Sequence, residues 1–277
     1  MDDLDFTSTT SRPAKGAIYD PAVAKTCFES LGKVELVSQG GAFFTENQAN
    51  NKMYLLVEGD VSLTRGKKVL DQVKAGEIFG EMAAISQLPR SATAMAKTAC
   101  RALSLDPAQF QGAIQKAPEF VLMLMNIIIN RLRLTAAIVS KNLVDDGKAP
   151  ESRVFSQQQL DDLVGGMPQP PAHTPLNKAI MKEGEGGVFM YVVVTGRVAI
   201  SIKGKAVGRV GPGGIFGEMA LVDLSPRAAT ATAETDCELI SINRNDFLRL
   251  VKTNPAFAVA LLKGLTDRLR YMTSHHK

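Results

Sequence analysis

The chain has no tryptophan, and aromatic residues make up only 6% of its 277 positions. A surface that stacks nucleic-acid bases needs aromatic faces, so that class of function is disfavoured. The formal charge of +4 is mild and no Lys/Arg-dense patch accompanies it, so no DNA partner is expected. There are three cysteines, Cys27, Cys100 and Cys237, an odd number without CxxC spacing. They read as buried thiols in a reducing, cytoplasmic setting rather than as disulfides or zinc ligands. The three histidines, His173, His275 and His276, have no metal-ligand company and no Ser or Cys partner. That leaves no catalytic constellation, no metal site and no cofactor, and it argues against a metal-binding cupin enzyme. The most apolar run, FVLMLMNIIINRLRL, is interrupted by Asn126, Asn130 and Arg131, and is too short and polar to span a bilayer. The polar start, MDDLDFTSTTSRPAKG, is no signal peptide.

What is present is a repeat. IFGEMA occurs at residues 78–83 and again at 215–220, an offset of 217 − 80 = 137 for the shared glycine. At that offset Tyr54 meets Tyr191, Gly59 meets Gly196, Arg90 meets Arg227 and Thr93 meets Thr230. Cys100 meets Cys237, Phe110 meets Phe247, and Arg131-Leu132-Arg133 meets Arg268-Leu269-Arg270. The register holds without a gap from about residue 43 to about 136, so the chain carries two copies of one fold.

Each copy is mostly β. MYLLVEGDVSLTRG and MYVVVTGRVAISIKG are alternating, β-branched runs broken at glycine, and KTACRALSLD and ETDCELISIN repeat the strand signal. Each copy then turns helical, in DPAQFQGAIQKAP and NRNDFLRLVKTNP, which open on cap-type residues, and in longer amphipathic stretches after them. The fold class is therefore mainly β with flanking α: two tandem β-barrel or jelly-roll domains, each followed by C-terminal helices. The organisation reads as a disordered tail at 1–18, a first domain at 19–144, a linker with one short helix at 145–170 and a second domain at 171–277.

The repeated string has a chemical reading. A strand ends, a glycine permits an unusual backbone angle, and a helix former follows, leaving N–H groups exposed to an anion. An Arg follows nine residues after the Glu in both copies, and its planar fork suits a phosphate. The Glu is repelled by a phosphate and needs a donor such as a ribose hydroxyl. The bland alternative is scaffold, with Glu and Arg paired to each other. Both copies keep Gly, Glu, Pro, Arg and Thr while Ala84 to Leu88 and Leu221 to Ser225 differ freely, which favours a ligand.

Phe-Gly-Glu-Met-Ala followed by Pro-Arg-Ser-Ala-Thr or Pro-Arg-Ala-Ala-Thr resembles the phosphate-binding cassette of cyclic-nucleotide-binding domains, a family that includes regulatory subunits of cAMP-dependent protein kinase and the catabolite activator protein. The resemblance covers residues 30–140 and 170–275. It implies a first site of Phe79, Gly80, Glu81, Met82, Ala83, Arg90, Ser91 and Ala92, and a second of Phe216, Gly217, Glu218, Met219, Ala220, Arg227, Ala228 and Ala229. The glutamates would take the ribose 2′-hydroxyl, the arginines the exocyclic phosphate. Ala228 points to cAMP, whereas Ser91 leaves cGMP open at the first site. Thr135 and Tyr271 are the implied covers of the base. The first copy departs at Glu46 to Asn51, where the second has the glycines of KEGEGG. Asn tolerates left-handed turn positions, so the departure is compatible with the turn.

The resemblance implies a cAMP sensor that switches on binding and signals through an unidentified protein effector, with a homodimer through helix 121–138 as one arrangement. The alternatives are a regulatory subunit of a cAMP-dependent kinase, and an interaction module with degenerate sites. Arg12 to Ile18 resembles a kinase pseudosubstrate but has Ala14-Lys15 where an Arg pair is needed. The chain's end at Lys277 is expected to leave no room for a helix-turn-helix, and no helical dimerisation region is expected ahead of the repeats.

Overall fold

The structure, a computed structural model, describes residues 20–139, 151–222 and 225–274. The expected tail, the pseudosubstrate-like stretch 12–18 and the His275–His276 pair lie outside the described residues. Contacts group the chain into two units, divided after Val121.

The first unit opens on α1 (Pro21–Leu31), which Asp20 caps by accepting from the Ala22 N–H, with proline at the first helical position. Eight strands follow: β1 (Lys33–Val37), β2 (Ala42–Phe44), β3 (Met53–Glu58), β4 (Asp60–Arg65), β5 (Lys68–Lys74), β6 (Ile78–Phe79), β7 (Thr93–Ala96) and β8 (Cys100–Leu105). A short helix, α2 (Glu81–Ser86), sits between β6 and β7. The strands form two antiparallel sheets of order β1-β8-β3-β6 and β2-β7-β4-β5. Their shared core is Phe43, Phe44, Tyr54, Leu56, Val61, Val73, Phe79, Ala94, Ala96, Cys100 and Ala102, drawn from both sheets. α3 (Pro107–Lys116) is closed by a capping box of Asp106 and Gln109, and the Gln109 amide also donates to the Leu31 carbonyl at 2.6 Å, tying α3 to α1. α4 (Glu119–Val139) begins here, and the division between the units falls within it.

The second unit repeats the plan. β9 (Glu151–Ser152) and α5 (Gln157–Gly166) precede β10 (Ala172–Thr174), β11 (Ala179–Met181), β12 (Met190–Thr195), β13 (Val198–Ile202), β14 (Lys205–Val210) and β15 (Ile215–Phe216). α6 (Met219–Val222), β16 (Thr230–Ala233), β17 (Cys237–Ile242), α7 (Arg244–Thr253) and α8 (Pro255–Ser274) complete it. The sheets are β10-β17-β12-β15 and β11-β16-β13-β14-β9, the order of the first unit with β9 added in parallel. Among the described residues no pairing joins the two sheets of either unit. Each domain is thus a two-sheet jelly roll and not a closed barrel.

The segment between the repeats is more than a tether. Val154 and Phe155 donate their N–H groups to the Gly213 carbonyl, and the Phe155 ring stacks on Phe257 at 5.4 Å. His173 lies in β10 opposite Glu238. No single described helix is long and apolar enough to cross a membrane. α3 and the Glu119–Arg133 part of α4 pass that test together by length and composition, yet they bend by 115°, and Phe120 to Met125 are buried as core.

Candidate functional site

The repeated string begins where β6 pairs Phe79 with Tyr54, and where β15 pairs Phe216 with Tyr191. The Phe79 and Tyr54 rings stack at 5.0 Å and the Phe216 and Tyr191 rings at 5.1 Å, so each cassette starts from an anchored aromatic floor. The chain then turns through Gly80 at φ +74° and Gly217 at φ +71°, left-handed angles that suit glycine. Glu81 opens α2, and Glu218 directly precedes α6. The N–H groups of the first helical residues have no partner further back in the helix, which leaves them facing the turn.

The arginines are placed by backbone pairs that both copies share. The Asn47 N–H donates to the Arg90 carbonyl at 2.9 Å and the Arg90 N–H to the Gln48 carbonyl at 3.0 Å. Gly184 and Glu185 bracket Arg227 in the same way, at 2.9 and 2.8 Å. Asn47 takes φ +64° where Gly184 takes +82°, so the departure at 46–51 keeps the turn. The shared threonines serve this loop too. Thr93 Oγ1 accepts from the Glu46 N–H at 2.9 Å, and Thr230 Oγ1 from the Glu183 N–H at 3.0 Å.

From that anchor the Arg90 side chain runs back under the turn and is 2% exposed. Nη1 donates to the Gly80 carbonyl at 2.7 Å, and Nη2 to Asn50 Oδ1 at 3.0 Å and to the Lys52 carbonyl at 2.5 Å. The guanidinium lies 3.9 Å from the Phe44 ring centroid. Among the described residues its Nε has no hydrogen-bond partner, although it is buried. Burial pushes the guanidinium down to about 10 from its usual value, while Tyr54 and Glu81 pull it back up. Arg227, also buried, donates from Nη1 to the Gly217 carbonyl at 3.0 Å.

Among the described residues the cassette Glu does not pair with the cassette Arg in either copy. The Arg90 terminal nitrogens donate to two carbonyls and an amide, and Glu218 pairs instead with Arg268 of α8, at 3.4 Å. Both glutamates are buried, at 1% and 3% exposed. A buried cation and a buried carboxylate that are not joined to each other differ from the paired scaffold considered as the bland reading.

The other expected residues fall as follows. Ala83 and Ala92 are buried and Met82 is half-buried, its carbonyl accepting from Ser86 Oγ at 2.6 Å. Ser91 is half-buried and its carbonyl accepts from Arg65 Nε at 3.1 Å. In the second copy Ala229 is buried, Ala228 is exposed, and Met219 Sδ accepts from Arg133 Nε at 3.3 Å. Thr135 lies in α4 and Ala220 in α6, and the side chains of both lie outside the described residues. Tyr271 is 44% exposed on α8, three residues beyond Arg268 and so on the same helix face. Asn50, Lys52, Phe44 and Arg268 are the neighbours that motif reading missed. Comparing the copies at the 137 offset would have drawn attention to Asn50, which stands where the second copy has Gly187. No cluster of metal-ligating side chains occurs among the described residues.

The family model for the cyclic nucleotide-binding domain matches residues 34–117 and 173–254, and the chain belongs to that family, with two such domains in tandem. A cAMP-dependent protein kinase regulatory subunit of Yarrowia lipolytica is 24% identical over 234 residues, covering 84% of this chain and 57% of that protein. A cGMP-dependent protein kinase of Eimeria tenella is 28% identical over 224 residues, covering 77% of this chain and 20% of that protein. The chain therefore spans little more than half the length of the first of these relatives, and far less of the second. The solved structure of cAMP-bound PfPKA-R covers 89% of this chain and 84% of its own at 23% identity, with a TM-score of 0.35.

Proposed function

We propose that this protein is a cAMP sensor with two binding sites, one per domain, which changes conformation on binding and signals through a protein partner. The observation that carries the reading is the pair of buried cassettes. Each holds an arginine under the turn of Gly80 or Gly217 and a buried glutamate beside it, without joining the two in an ion pair. The arginine supplies a cation for a cyclic phosphate and the glutamate an acceptor for a ribose hydroxyl. Ala228 favours cAMP over cGMP in the second site, and Ser91 leaves the first site open to either. Arg268 links α8 to Glu218, which gives the helix a direct route for sensing what the cassette holds.

A kinase regulatory role is the second reading. It is favoured by the regulatory subunit of Yarrowia lipolytica, which matches across both domains. It predicts inhibition of a kinase catalytic subunit that cAMP relieves.

The decisive experiment is thermal unfolding with excess cAMP, cGMP or 5′-AMP. A ligand at about 100 times its dissociation constant stabilises the native state by roughly 2.7 kcal/mol, a readily measured shift. A cAMP-selective shift supports the sensor. No shift with any of the three sinks it in favour of an interaction module with degenerate sites.

A further inference from the structure

We propose that Asn50 sets the affinity of the first site, because its amide oxygen holds Nη2 of the Arg90 guanidinium, for which an incoming phosphate competes. This rests on reading the cassettes as cyclic-nucleotide sites and deepens it by separating the two.

The separation comes from one position. At the 137 offset Asn50 corresponds to Gly187. In the first copy Asn50 Oδ1 accepts from Arg90 Nη2 at 3.0 Å. The orientation of that amide is set from both ends: Oδ1 also accepts from the Lys52 N–H at 3.0 Å, and Nδ2 donates to the Tyr54 hydroxyl at 3.5 Å. The oxygen therefore faces the guanidinium as a built-in acceptor. In the second copy no side chain stands there. A Cβ on Gly187 would lie 2.3 Å from both Nε and Nη2 of Arg227 and 2.4 Å from its Cζ, so the guanidinium rests directly against the glycine backbone. Among the described residues the Arg227 side chain makes one hydrogen bond, to Gly217, where the Arg90 side chain makes three.

A phosphate entering the second site meets a cation with donors to spare. In the first site Nη2 is already taken, so a phosphate that engages that nitrogen exchanges a neutral acceptor for an anionic one, and the gain is reduced by the bond given up. Asn50 thus raises the cAMP concentration at which the first site fills.

The test isolates the first site in an R227A background and titrates cAMP by calorimetry into that parent and into its Asn50→Ala, Asn50→Gly and Asn50→Asp derivatives. Asn50 is half-buried and lies outside the left-handed region, so Ala and Gly suit the backbone, and melting of the unliganded proteins verifies folding. Ala and Gly should each tighten binding about tenfold, and Asp, a charged competitor, should weaken it by a similar factor. Binding that appears only in the Ala and Gly derivatives also supports the proposal. Unchanged or weaker binding in both, or no binding in any derivative, overturns it. An R90A protein reads the second site alone. Binding there keeps the sensor reading standing whatever Asn50 does, and absence of binding in every protein sinks the sensor reading itself.

Discussion

Arg90 and Gly80 are fitted to each other: the guanidinium donates to the Gly80 carbonyl at 2.7 Å, and a methyl group on Gly80 would stand 2.8 Å from the same Nη1. The turn and the cation are therefore one unit. Gly80→Ala strains a φ of +74° and pushes against both Arg90 and the Phe44 ring. The expected result is a loss of about 1–3 kcal/mol of stability together with weaker cAMP binding at the first site. Chemical denaturation and calorimetry of the same variant check both halves.

Replacing the arginines separates the sites. Arg90→Ala and Arg227→Ala should each weaken cAMP at their own site by roughly 2–5 kcal/mol, or about thirty- to several-thousand-fold, and leave the other site intact. A calorimetric stoichiometry falling from two sites to one in each variant is the expected readout. Unchanged affinity in either would remove that arginine from the binding assignment.

The glutamates should read the ribose. With Glu218 intact, the second site should prefer cAMP over 2′-deoxy-cAMP by about 1.5–3 kcal/mol, the worth of a hydrogen bond to a charged group. Glu218→Ala should erase that preference and leave the arginine's contribution in place. Competition between the two nucleotides in an R90A background measures it. A preference that survives the substitution places the hydroxyl elsewhere.

The burial of Arg90 has a pH signature. Its folded value of about 10 lies below the ordinary guanidinium range, so between the two the unfolded chain holds protons that the folded chain does not. Stability then rises with pH through the window, because the penalty for burying the charge, full below about pH 10, is relieved as the proton leaves. Tyr54 works in the opposite direction. Burial raises its phenol, so its contribution is present below its ordinary value and is lost as pH rises through the folded one. In a Tyr54→Phe background, the difference in unfolding free energy between Arg90 and Arg90→Ala proteins should shift in favour of Arg90 between about pH 9 and 12. A flat difference would mean that the buried guanidinium keeps its proton throughout.

Local signals made much of this legible. The helix caps at Asp106 and Asn243 and the alternating strands were readable because each depends on neighbours within a few residues. α1 carried the same kind of signal, Asp20 and Pro21 ahead and Gly32 behind, and went unread. β9 was beyond such reading, since two residues become a strand only because β14 offers them an edge. The same holds for His173, which joins a sheet through Glu238, 65 positions away by 238 − 173.

By itself, then, the sequence determined that there are two copies, that each is mainly β, and that Gly, Glu and Arg recur in a cassette, because repetition and period are properties of order along a chain. Tertiary structure decided what those residues are to one another. It brought Asn50 and the Lys52 carbonyl to Arg90 across about forty positions and gave Glu218 to Arg268 across fifty. Hydrogen bonds and burial act over ångströms of space, and no spacing in the sequence encodes which distant atom will fill the last donor of a guanidinium.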